Sequence, residues 1–131
     1  MTKAGSIVVD TSAIISLFRG HEPARECFNA AQEIGLPVTV LAELYCGLRK
    51  CNNPDKERQR IHEMRSRMVV VGTDESTAIR YAEVYASLER QGVMIPVNDL
   101  WIAAFALRHE MALVAKDAHF TRIEGLELIE L

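Results

Sequence analysis

At 131 residues, with 49% hydrophobic and 25% charged side chains, the chain has the size and balance of one globular domain spanning residues 1–131. Its net charge of −3 argues against a protein that coats nucleic acid by charge alone. No apolar run approaches the ~18 residues of a membrane span and no signal-peptide pattern opens the chain, so the expectation is a soluble, cytoplasmic protein with no membrane partner. Cys27, Cys46 and Cys51 are odd in number and form no Cys-x-x-Cys pair, which favours reduced thiols over a disulfide framework or a structural zinc site.

Ser6-Ile7-Val8-Val9 reads as a short strand buried on both faces, and it stops at Asp10-Thr11-Ser12, a carboxylate followed by two hydroxyls. The segment from about Ala13 to Phe18 is helical in pattern and ends near Gly20. Glu22-Pro23 opens a second helix, with Cys27, Phe28, Ala31 and Ile34 as its apolar stripe and Gly35 as its stop. Leu36 to Val40 then reads as a second strand. Leu41, Leu44, Tyr45 and Leu48 fall at i, i+3, i+4 and i+7, the core-facing stripe of a helix on which Glu43 sits beside the apolar face.

Asn52-Asn53-Pro54 marks a turn and a helix start. The segment from Arg49 to Arg67 holds Arg49, Lys50, Lys56, Arg58, Arg60, Arg65 and Arg67 against only Asp55, Glu57 and Glu63, so a mostly solvated helix is expected, with Ile61, Met64 and Met68 as its inward contacts. Met68 to Val71 reads as a third strand, and Gly72-Thr73 as the turn and cap of a long amphipathic helix that runs to Gln91 and ends at Gly92. Val93 to Val97, interrupted by Pro96, reads as a loop or short irregular strand. Asn98 is the expected N-cap of a helix from Asp99 to Arg108, which is apolar all round and must therefore be buried. Ala112 to Ala115 reads as a fourth strand and Leu126 to Ile129 as a short fifth. Strands alternating with helices predict an α/β fold, a central parallel sheet of four or five strands between helix layers.

Asp10, Glu43 and Asp117 each follow an apolar strand, and Asp99 opens a helix with no other charge until Arg108. If the strands run parallel, the four carboxylates converge on one edge of the sheet. Like charges ~4 Å apart repel by about 4 kcal/mol at an effective dielectric of 20, so such a cluster calls for a cation. Mg²⁺ or Mn²⁺ is the natural partner, because hard cations prefer oxygen ligands and keep waters for chemistry. Such ions activate water and neutralise charge on a phosphodiester as it is cleaved. Thr11 and Ser12 offer hydroxyls to orient water or phosphate, and the helix start at Asn98-Asp99 favours an anion.

Each carboxylate alone has a plainer explanation. Asp10 and Asp117 are placed as caps or turn residues, Asp99 as a first-turn residue and Glu43 as a solvated helix residue; only the set of four favours chemistry. His21, His62, His109 and His119 have no ligand spacing and read as solvated or structural, with His119 the one near the proposed site. Lys116 reads as a surface charge and Trp101 as core.

Together, VVDTSAII around Asp10, VLAELYCGL around Glu43, VNDLWIAAFAL around Asp99 and LVAKDAHFTRIEGLELI around Asp117 resemble the PIN-domain (PilT N-terminus) ribonucleases. The short length resembles their VapC-type toxin members. The resemblance covers essentially the whole chain and implies a three-layer α/β/α domain with Mg²⁺- or Mn²⁺-dependent endonuclease activity on RNA. It places the family's four acidic positions on Asp10, Glu43, Asp99 and Asp117, and its hydroxyl on Thr11 with Ser12 beside it. It further implies a cognate VapB-like antitoxin, for which the segment from Arg49 to Arg67 is a candidate docking surface, and a homodimer. Ala115 departs from the hydroxyl many members carry there. The competing expectation is a catalytically idle domain of the same fold that binds a protein or RNA partner.

Overall fold

The computed structural model describes residues 5–131. Strand β1 (Ser6–Val9) is buried at all four positions, as a β-branched run must be when helices cover both faces of a sheet. Helices α1 (Thr11–Phe18) and α2 (Glu22–Ala30) lead to β2 (Glu33–Pro37), and α3 (Val38–Lys50) and α4 (Pro54–Arg65) lead to β3 (Val69–Val71). Helices α5 (Glu75–Gln91) and α6 (Val97–His109), packed on each other, lead to β4 (Ala112–Ala115). A one-turn 3₁₀ helix, Ala118–Arg122, precedes β5 (Leu128–Glu130). The strands form a wholly parallel sheet in the order β3-β2-β1-β4-β5, the α/β architecture expected.

This order has one topological switch point. From β1 the chain moves outward to β2 and β3, then crosses back to place β4 on the other side of β1. Loops that leave adjacent strands in opposite directions open a crevice beyond the strands' carboxyl ends. Asp10 and Asp117 lie in that crevice, one following β1 and the other two residues beyond β4.

Several boundaries differ from expectation. The second strand begins at Glu33 rather than Leu36, so Ile34 belongs to the sheet and Gly35 is a strand interior residue rather than a helix stop. The reason is steric: β2 lies between β1 and β3, and a Cβ on Gly35 would sit 3.3 Å from Val71 Cγ2 and 3.5 Å from Val8 Cγ2 and Met111 Sδ. Gly35→Val is therefore expected to destabilise the fold by about 1–3 kcal/mol through overpacking, read as a lower urea midpoint. Val38 and Val40 start α3 instead of ending a strand. Asp74, not Thr73, caps α5, accepting from Thr77 N at 2.8 Å. The cap position of α6 is Pro96, which moves Asn98 inside the first turn.

The third strand starts at Val69 rather than Met68, and the fifth at Leu128 rather than Leu126. Asn53 caps α4 through Lys56 N, and that helix buries only Ile61 and Met64. Leu100 and all residues from Ile102 to Ala106 are buried, as an all-apolar helix requires. Trp101, expected in the core, is only partly covered, because it sits at the contact of α6 with α5, where it stacks on Tyr81 with ring centroids 4.4 Å apart. All three cysteines are free thiols.

Candidate active site

Asp10 is 3% exposed, held at the end of β1 by Asp10 N donating to Val114 O of β4. Its side chain caps α1: Oδ1 accepts from Ala13 N at 3.0 Å and from Ser12 Oγ at 2.5 Å. The Ser12 hydroxyl in turn accepts from Lys116 N at 2.9 Å, which ties the exit of β4 to the entry of α1. This staple fixes the spacing of the loops that carry Asp10 and Asp117. Lys116 thus contributes its backbone, while its side chain stands in solvent.

Glu43, in the second turn of α3, has both carboxylate oxygens engaged. Thr11 Oγ1 donates to Oε2 at 3.0 Å and Asn98 Nδ2 donates to Oε1 at 3.2 Å. Three helices, α1, α3 and α6, therefore meet at one carboxylate. Asn98 does not cap its helix as expected; its side chain reaches Glu43 instead, because the preceding Pro96 already supplies the extended residue before the first turn.

Asp99 lies one residue further along α6, in the first turn, where the helix dipole favours negative charge. Its Oδ2 is 2.6 Å from His119 Nε2. Asp117 is exposed in extended backbone at the start of the 3₁₀ turn, and its side chain accepts no hydrogen bond among the described residues.

The electrostatics show that these groups share one environment. Burial pushes the Asp10 carboxyl above the usual carboxylate range; the Ser12 and Ala13 hydrogen bonds pull it partly back, and the charges of Asp117 and Asp99 add to the rise. Asp99 is also raised, first by burial, against the lowering effect of its hydrogen bond and charge interaction with His119 and with repulsion from Asp117 and Glu43. Each of the four expected carboxylates thus acts on at least one other, which four scattered surface acids would not do.

The donor set suits a hard divalent cation. Asp10 uses only Oδ1 and Asp99 only Oδ2 in their protein contacts, leaving one carboxylate oxygen on each, and both on Asp117, without a hydrogen-bond partner among the described residues. Among those residues no three His, Cys, Asp or Glu side chains stand close enough together to hold an ion by themselves. Mg²⁺ does not require such a set, since it keeps several waters and binds through one or two carboxylates together with substrate phosphate.

His119 is the participant that sequence reasoning set aside. It lacks ligand spacing to another His or Cys, but it lies two residues after Asp117, and the one-turn helix that swings it onto α6 left no periodic signal.

The PIN domain model matches residues 7–126. The chain is 32% identical to the ribonuclease VapC of Rickettsia bellii, with 94% of each chain covered. It is 30% identical to ribonuclease VapC1 of Rickettsia felis, again with 94% of each covered. Among solved structures, a DNA-bound VapBC from Salmonella typhimurium superposes with a TM-score of 0.87 at 26% identity, covering 99% of this chain and 98% of that one. A parallel sheet with its switch point between β1 and β4, acids gathered at that point, and relatives matched nearly end to end agree: the chain belongs to the PIN-domain family, among its VapC members.

Proposed function

We propose that the chain is a metal-dependent endoribonuclease, the toxin of a VapBC-type toxin-antitoxin pair, acting as one domain in the cytoplasm. The observation that carries the reading is the set of four interacting carboxylates at the switch point of the sheet. The VapC ribonucleases and VapBC assembly to which the chain is similar support the substrate class and the partner.

Asp10, Asp99 and Asp117 would hold a Mg²⁺ or Mn²⁺ ion. Bound there, such an ion would make a water more acidic and offset charge on the scissile phosphate. Asp10 is the anchor, because its backbone is fixed by β4 and its Oδ1 by two donors. Glu43, locked by Thr11 and Asn98, would orient the attacking water or hold a second ion, and Ser12 keeps Asp10 in position. Hydrolysis by water leaves 5′-phosphate and 3′-hydroxyl ends; 2′,3′-cyclic phosphate products would contradict it, since they require the RNA's own 2′-hydroxyl as nucleophile.

For the antitoxin, the basic segment contributes α4 to a groove that it shares with α1 and α2. Leu17, Phe18, Phe28 and Met64 line it, and Arg60 stacks over Phe18 with its guanidinium 5.0 Å from the ring centroid. An apolar floor with a basic rim suits an acidic, amphipathic antitoxin segment bound to each protomer of a homodimer. No helix among the described residues is long and apolar enough to cross a membrane.

The test is RNA cleavage with Mn²⁺ by the native chain and by Asp99→Asn, with chelator controls. Native cleavage that chelator stops, and a loss of ~10²-fold or more in the variant, is the expected result. Equal rates in the two preparations would assign the activity to a contaminant or another site and overturn the proposal.

A further inference from the structure

His119 closes a contact that links the turn after β4 to the start of α6. Its Nε2 lies 2.6 Å from Asp99 Oδ2, with the histidine side chain 35% and the aspartate side chain 17% exposed. An ionised carboxylate can only accept, so the imidazole nitrogen donates. The ring is fixed from behind by Phe120, 1% exposed in the core, with ring centroids 5.0 Å apart. Thr121 Oγ1 donates to Ala118 O at 2.7 Å and tightens the turn that carries both rings. Asp99, meanwhile, is repelled by Asp117 and Glu43. Without a tether its side chain has every electrostatic reason to rotate toward solvent.

We propose that His119 is the positioning residue for Asp99: by holding Oδ2 it turns Oδ1 toward the shared site and so sets the affinity for the divalent cation rather than the chemical step. The proposal rests on the metal-dependent reading above and goes beyond it by giving a role to a side chain outside the acidic set. Hydrogen-bonded partners behind ligating groups typically contribute ~10–100-fold to metal affinity. Gln at position 119 places an amide N–H about where Nε2 stands, whereas Asn reaches only about as far as Nδ1.

The experiment measures Mn²⁺ binding to the full chain by the loss of the free-ion electron paramagnetic resonance signal, with folding checked by circular dichroism in chelator. His119→Ala and His119→Asn are expected to weaken binding by ~10–100-fold, and His119→Gln to recover most of it. Cleavage by His119→Ala should return close to the native rate at saturating Mn²⁺, because only the occupancy of the site has changed. Native affinity in a folded His119→Ala, or His119→Gln no better than His119→Asn, would overturn the positioning role. Should the alanine variant fail to fold, the comparison of Gln with Asn decides. A native chain that binds no Mn²⁺ would instead remove the metal-dependent reading itself, and this inference with it.

Discussion

Asp10→Asn is expected to abolish metal-dependent cleavage while leaving the metal-free protein at least as heat-stable as the native chain. The two effects have one cause. Losing a metal-anchoring carboxylate removes several kcal/mol of transition-state stabilisation, a rate loss of ~10³-fold. Yet the same carboxylate is 3% exposed, and burial raises its pKa above the ordinary 3.8. A raised pKa means that the folded state binds the proton more tightly than the unfolded chain does. Below 3.8 the group is protonated in both states and its contribution is fully favourable; as pH rises through the raised folded value, that stability is lost. At neutral pH without metal, the ionised Asp10 is therefore a liability. Asn keeps the capping acceptor for Ala13 N and carries no charge to desolvate. Thermal melts in chelator from acid to neutral pH should show the native chain losing more stability than the variant as pH rises, and added Mn²⁺ should stabilise only the native chain. A variant that cuts RNA at the native rate, or melts far lower in chelator, would contradict this account of Asp10.

Phe105→Ala carries the largest expected cost to folding. Phe105 is completely buried in α6, the helix that also carries Asn98 and Asp99. Truncating a buried Phe removes its transfer free energy and leaves a cavity, together about 3–5 kcal/mol. Domains are typically stable by about 5–15 kcal/mol, so one substitution removes a large share of the total. Urea denaturation should show a marked fall in midpoint with an unchanged slope. Because α6 presents Asp99, cleavage should also fall at temperatures where the variant begins to melt, and recover on cooling. A midpoint within experimental error of native would mean that the helix is not the core element its burial indicates.

Asp10 and Phe105 both stand out in the amino-acid sequence, one as a charge ending an apolar strand and the other inside an apolar helix. Local chemistry in the sequence was enough for β1, whose β-branched run can only be buried, and for α6, which has no polar face to give to water. It was also enough for the acidic candidates, since Asp10 and Asp117 interrupt apolar segments and Asp99 is the lone acid in its helix, with no other charge before Arg108. The start of β2 was not legible, because Ile34 fits both a helical stripe and an inward strand position, and Gly35 serves as a helix stop or as a strand residue squeezed between neighbours. Only the closeness of Val71, Met111 and Val8 decides between them.

Propensity and apolar periodicity act over a few neighbouring residues, so the helices and strands, their buried faces and the charges at strand ends could be read locally, whereas the 3₁₀ turn after β4 could not. The tertiary structure alone decided that Thr11 and Asn98 lock Glu43, that Ser12 joins Asp10 to the exit of β4, and that His119 holds Asp99. Those contacts join residues up to 104 positions apart, and their geometry follows from the strand order β3-β2-β1-β4-β5. No local pattern encodes that order; it results from packing all the apolar faces at once.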